Sequence, residues 1–116
     1  MESYDKLIVW QKSMELVIEV YRLTKHFPKE EIYGLTSQMR RAAVSIPSNI
    51  AEGSRRRTLK DTRSFLINAF SSGAELETQV KISKELELCE LIKFTKTDSL
   101  LDEVMRMLNK MIGNRD

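Results

Sequence analysis

Along almost the whole of this chain, apolar residues return three and four positions apart, in four runs separated by short breaks. That period belongs to helices packed on a core. The first run, over residues 5–25, carries Leu7, Trp10, Met14, Val17 and Tyr21, with Leu16, Val20 and Leu23 widening the arc beyond a coiled-coil seam. Phe27 and Pro28 stop it, because proline disfavours helical geometry in the residue before it. Pro28, Lys29, Glu30 and Glu31 then open a second helix with acidic residues at its positive end. This helix is expected over residues 29–55, with Ile32, Leu35, Met39, Ala42, Ile46, Ile50 and Gly53 on one stripe. Pro47 lies inside it, where it removes its own N–H from the ladder and crowds the carbonyl of Ala43. A kink is expected, with Ser45, Ser48 and Asn49 placed to compensate.

Gly53, Ser54 and the run Arg55, Arg56, Arg57 form the next turn, with Thr58 as cap of a third helix over residues 58–87. Its stripe is Leu59, Leu66, Ala69, Phe70, Gly73, Leu76 and Val80. The small residues Ser71, Ser72, Gly73 and Ala74 cost helix propensity and are expected to admit a close neighbour. A fourth helix over residues 90–112, ending before Gly113, turns Leu91, Phe94, Leu101, Val104, Leu108 and Met111 inward. The polar residues Thr95, Lys96, Thr97 and Asp98 offer a later start. Four long amphipathic helices with short connections make an all-α, antiparallel up-down-up-down bundle. A chain of 116 residues with 4 Gly and 2 Pro is expected to be one such domain over residues 1–116.

Several chemistries are excluded by what the chain lacks. Cys89 has no second cysteine to pair with, and charges interrupt the N-terminal run where a signal peptide would be apolar, so a cytoplasmic protein is expected. No segment approaches the roughly eighteen consecutive apolar residues of a membrane span, so no membrane partner is expected. Di-metal bundles place a Glu three residues before a His, whereas the one histidine, His26, follows Leu23 at that spacing. The CxxC and HExxH spacings are absent, and a serine or cysteine nucleophile would have only His26, at a helix end, as its base. No metal, cofactor, catalytic residue or enzymatic activity is expected. Gln38, Ser45, Ser48 and Asn49 allow two readings, a polar ligand pocket or satisfaction of backbone groups around the kink; the second is the simpler.

Charge is segregated along the chain. Between positions 40 and 63 stand Arg40, Arg41, Arg55, Arg56, Arg57, Lys60 and Arg63 against Glu52 and Asp61, a local balance of +5 in a chain whose net charge is +2. Guanidinium groups pair bidentately with phosphate, so Arg55, Arg56, Arg57, Lys60 and Arg63 are candidates for nucleic-acid binding, with Arg40 and Arg41 as weaker ones in mid-helix. Aromatic residues are not interleaved with these arginines in sequence, so the contacts are expected to read backbone and shape. The competing reading is a helix end that is merely solvated or paired with Glu75 and Glu77. Trp10, Met105, Met107, Met111 and Ile112 exceed what one bundle core requires and are candidates for a subunit interface. A protein-interaction scaffold, docking an acidic or helical partner without nucleic acid, is the alternative function.

The stretch FPKEEIYGLTSQMRRAAVSIPSNIAEGSRR, with KLIVWQKSMEL before it and FLINAF, AELETQV and RMLNKMI after it, resembles a bacterial four-helix-bundle family. Its members were first noticed as reading frames inside intervening sequences of 23S rRNA genes, and some are labelled ribosomal proteins. The resemblance implies a left-handed bundle that assembles into a homo-oligomeric ring, expected to be a pentamer. It also implies a basic surface for structured RNA and no catalysis. A distant branch serves as the accessory protein of diversity-generating retroelements. This chain departs from the pattern at Ala69–Glu77, where the glycine is shifted, and at Leu86, Glu87 and Leu88, where the glycine that would end the third helix is missing. It is also less acidic than relatives over residues 94–99.

Overall fold

The protein was analysed as a computed structural model that describes residues 3–113. Four helices carry the fold: α1 (Ile8–Thr24), α2 (Leu35–Ser54), α3 (Leu59–Glu85) and α4 (Thr95–Ile112). Single 3-10 turns precede three of them, at Tyr4–Lys6, Lys29–Glu31 and Leu91–Phe94. α1 packs on α2 and α4, and α3 packs on the same two, which closes an up-down-up-down four-helix bundle of 44 × 29 × 23 Å. Leu16, Val20, Met39, Ile46, Ile50, Leu76, Phe94, Val104 and Leu108 fill its axis and are fully buried.

Three helices begin later than the periodicity suggests, the first because the 3-10 turn Tyr4–Lys6 delays α1 to Ile8. Residues Lys29–Glu31 form a 3-10 turn, and α2 starts only at Leu35, whose N–H donates to Glu31 Oε1 at 3.2 Å. The acidic residues therefore do sit at the positive end of α2, as a side-chain cap reaching in from outside the helix. Likewise Leu91–Phe94 is a 3-10 turn, and α4 begins at Thr95.

The end of α3 is closed without glycine. Leu88 N–H donates to the Ser83 carbonyl and Glu87 N–H to the Lys84 carbonyl, both at 3.1 Å, the paired bonds of a Schellman cap. Glu87 supplies the left-handed residue this cap requires, at φ 54°.

Several stripe residues face outward. The core line of α1 is Val9, Ser13, Leu16, Val20 and Leu23, while Met14 and Tyr21, one position round the helix, are exposed. Ser13 fits because its hydroxyl donates to the Trp10 carbonyl at 2.8 Å. Ile32 and Leu91 are exposed because they lie in or beside the 3-10 turns, Leu59 because it opens α3, and Met111 because it lies one position off the line Val104, Leu108, Ile112.

The small patch on α3 does admit a neighbour: a side chain at Gly73 would collide with Sδ of Met105 on α4. Ser72 Oγ, beside it, shares a 2.8 Å hydrogen bond with Ser45 Oγ of α2. Pro47 is buried within a continuous α2. Next to it, Ser48 Oγ donates to the Val44 carbonyl at 2.9 Å, and Asn49 Nδ2 donates to the Ser45 carbonyl at 2.9 Å and Ser45 Oγ at 3.0 Å. These groups are engaged with the backbone around the proline. Gln38 lies apart from Ser48 and Asn49, in a groove with Arg41 and Glu75.

Candidate nucleic-acid interface

The turn between α2 and α3 is tight because Gly53 lets the two helices meet: a Cβ there would lie 2.9 Å from Phe65 Cβ. Thr62 Oγ1 donates to the Gly53 carbonyl at 2.9 Å, and Thr58 Oγ1 caps α3 by accepting from Asp61 N–H at 3.1 Å. The residues between, 55–57, are thereby held out at one end of the bundle, where all three arginines are exposed.

Each cation at this end has a distinct setting. The Arg55 guanidinium stands over the Tyr4 ring at 5.3 Å, and that of Arg56 over the Phe65 ring at 4.6 Å while also pairing with Glu52 at 3.3 Å. The Arg57 and Lys60 side chains are exposed and make no ion pair or hydrogen bond among the described residues. Arg63 is half-buried and donates from Nε to the Ile112 carbonyl at 3.0 Å, which places its charge on the negative end of α4. No ion pair among the described residues joins this cluster to Glu75 or Glu77.

Two expectations change here. Arg40 and Arg41 do not join the basic end, since they lie about 22 Å along α2 from Arg55 at ~1.5 Å per residue. Arg40 is tied to α1 instead, through Nε to Thr24 Oγ1 at 2.9 Å and over the Tyr21 ring at 4.5 Å. Aromatic rings, absent among the arginines in sequence, are present among them in space: Phe65 one turn into α3, and Tyr4, folded in on the N-terminal turn. Only Phe65, in the helix next to the run, was near enough in sequence to suggest the pairing.

The proposed interface residues also separate. Met105 and Ile112 are 7% and 4% exposed and belong to the core, Met105 being seated against Gly73. They are unavailable to a partner because α4 turns the line Leu101, Val104, Met105, Leu108 and Ile112 inward. Met107 is half-buried against the same core, Trp10 is half-buried beside Tyr4, and Met111 is exposed. An exposed apolar surface that sequence reasoning missed lies along α1, α2 and the segment that leads into α2. Tyr21, Ile32, Tyr33 and Val44, with Arg40 and Arg41, line a cleft of about 560 Å³ in which Tyr33 is 95% exposed. The exposure of Ile32 and Tyr33 follows from the delayed start of α2, which periodicity could not reveal.

Elsewhere the chemistry is quiet. Burial pushes the Cys89 thiol up, with Glu90 adding to the effect, so it is protonated at neutral pH. Among the described residues no group of three His, Cys, Asp or Glu is placed to hold a metal ion, and no helix is long and apolar enough to cross a membrane.

The bundle has solved counterparts. One is the crystal structure of a protein of unknown function from the S23 ribosomal protein family of Bacteroides thetaiotaomicron. It is 19% identical, covers 92% of this chain and 100% of its own, and superposes with a TM-score of 0.82. At that identity the likeness speaks for the fold. No curated protein matches the sequence significantly. The model of the 23S rRNA-intervening sequence proteins matches residues 5–110, all four helices except the last two residues of α4, and on that coverage this chain belongs to the 23S rRNA-intervening sequence protein family.

Proposed function

We propose that this protein is a non-enzymatic binding module that holds structured nucleic acid, RNA in the first instance, at its basic end. The observation that carries the reading is the setting of Arg55, Arg57 and Lys60. They are three exposed cations without carboxylate partners among the described residues, presented on the turn after α2 and the first turn of α3. Arg57 and Lys60 are not engaged as Arg63 and Arg40 are, and Arg55 stands over the Tyr4 ring with its guanidinium N–H groups unbonded among the described residues. Phosphates spaced along a folded strand suit such a cluster, with Arg56, partly neutralised by Glu52, at its margin.

The test is a titration into a labelled structured RNA across a salt series, with a variant carrying Arg55→Glu, Arg57→Glu and Lys60→Glu. Binding by the wild type is expected to weaken linearly in log salt, with a slope near −0.7 to −0.9 for each phosphate neutralised. The variant is expected to lose affinity and most of that slope. Equal binding by both proteins, or none by the wild type at low salt, overturns the reading.

A second reading, self-assembly, is favoured by the cleft on α1 and α2. Arg40 and Arg41 rim its aromatic wall, in which Tyr33 is 95% exposed. Such a cleft taking a different face of the next copy is a heterologous contact, the kind that closes into rings. A ring of five would set five basic ends on one assembly and multiply weak phosphate contacts into avidity. Light scattering is expected to give a multiple of the 13.5 kDa protomer mass for the wild type, and the protomer mass for Tyr33→Asp with Arg41→Glu. A monomeric wild type removes this reading and leaves the first intact.

A further inference from the structure

We propose that the groove beside the basic end, walled by Tyr4, Trp10, Met14, Val17, Pro47 and Ser48, takes one unpaired nucleobase of the bound nucleic acid, with the adjoining phosphate on Arg55. The inference rests on the nucleic-acid reading above and adds a base-binding subsite, so that the preferred ligand carries a single-stranded tail, bulge or loop next to its duplex.

The groove is about 310 Å³, the lower end of the range for small-ligand sites, and mostly apolar. Tyr4 and Trp10 meet edge to face in it, with ring centroids 5.3 Å apart and planes at 63°, so a flat ring stacked on one within that angle turns its own edge to the face of the other. Tyr4 is fixed from both sides. Gln11 Nε2 donates to the Asp5 carbonyl at 3.0 Å and holds the N-terminal turn against α1, and the Arg55 guanidinium stands over the phenol ring.

That last contact decides the occupant. One aromatic ring lines the groove and also carries a cation at its rim, which is the pairing a nucleotide needs: a π-face for the base and a charge for the phosphate attached to it. Ser48 supplies the polar group. Its hydroxyl hydrogen is committed to the Val44 carbonyl, which leaves the oxygen to accept from a base edge. A second copy of this chain would have to bring its own apolar surface against the Arg55, Arg57 and Lys60 cluster without neutralising it.

Trp10 is the single tryptophan, so the site reports on itself. The experiment uses the full chain with two labelled RNA probes, a blunt duplex and the same duplex with a short single-stranded tail, together with their DNA counterparts. Probe anisotropy and Trp10 fluorescence are followed together. The tailed probes are expected to quench Trp10 and to bind about 5- to 30-fold tighter than the blunt ones, a stacking effect of ordinary size. Tyr4→Ala is expected to remove that advantage, read as the ratio of tailed to blunt affinity, since Arg55 stands over the Tyr4 ring and the affinity for both probes can shift with it. Ser48→Phe, which fills the groove from an exposed helical position, is expected to do the same and guards against a folding artefact of the first variant. Equal affinity for blunt and tailed probes with unmoved fluorescence overturns the base subsite and leaves the phosphate contacts standing. Absence of binding by either probe overturns both. A Trp10 signal that changes with protein concentration alone identifies a second copy as the occupant and overturns the subsite.

Discussion

Glu87 occupies a backbone region that favours glycine, at φ 54°, because the cap that ends α3 needs a left-handed residue at that point. Glu87→Gly is expected to raise stability by about 0.5–1 kcal/mol, read as a higher urea midpoint at unchanged m. Gly53 is the opposite case. Gly53→Ala sets a methyl 2.9 Å from Phe65 Cβ and 3.2 Å from the Thr62 carbonyl, neither of which can yield without moving α3. A loss of about 1–3 kcal/mol is expected in the same measurement. The arginine run was legible in the sequence because charge clustering is local, whereas the ring that Arg55 covers belongs to Tyr4, 51 positions earlier, and no local pattern joins them. The glycine missing from the end of α3 was legible as an irregularity, but the structure alone shows that Glu87 takes its place.

Between elements, the bundle is laced by a few ion pairs, of which Glu19 makes the densest. Its Oε1 meets Arg22 Nη1 at 2.6 Å within α1 and Lys96 Nζ at 3.3 Å on α4. Burial alone would raise this carboxyl, but hydrogen bonds and charge from Arg22 and Lys96 outweigh it and hold the group below its ordinary value of 4.5. Its contribution is therefore fully present above the unfolded carboxyl's value and is lost as pH falls through the lower folded value. Glu19→Gln is expected to cost about 0.5–1 kcal/mol at pH 7, and the difference from wild type should vanish in thermal unfolding well below pH 4.5. The four helices themselves were readable from apolar spacing. Which of two adjacent stripes faces the core was not: Trp10, Met14, Val17 and Tyr21 look at least as apolar as Val9, Ser13, Leu16, Val20 and Leu23. The rotation of α1 that buries the second set is settled by α2 and α4 together.

At the scale of the molecule, the basic end keeps its structural and its free charges apart. Arg63 ties the start of α3 to the last turn of α4, so Arg63→Ala is expected to cost about 1–2 kcal/mol, seen as a lowered melting temperature. The triple reversal at Arg55, Arg57 and Lys60 is expected to cost no more than about 1 kcal/mol, the size of the exposed Arg55–Tyr4 contact, because no described side chain of opposite charge depends on them. Calorimetry on the two variants separates the cation that holds the bundle from those offered to solvent. The same end also gathers both extremities of the described chain, Tyr4 under Arg55 and Ile112 beside Arg63. A purification handle or fluorescent fusion joined at either extremity would therefore hang across the arginine turn and mask or mimic its activity. A reporter placed in the connection after Glu87, at the far side of a molecule 44 Å long, would leave that turn open.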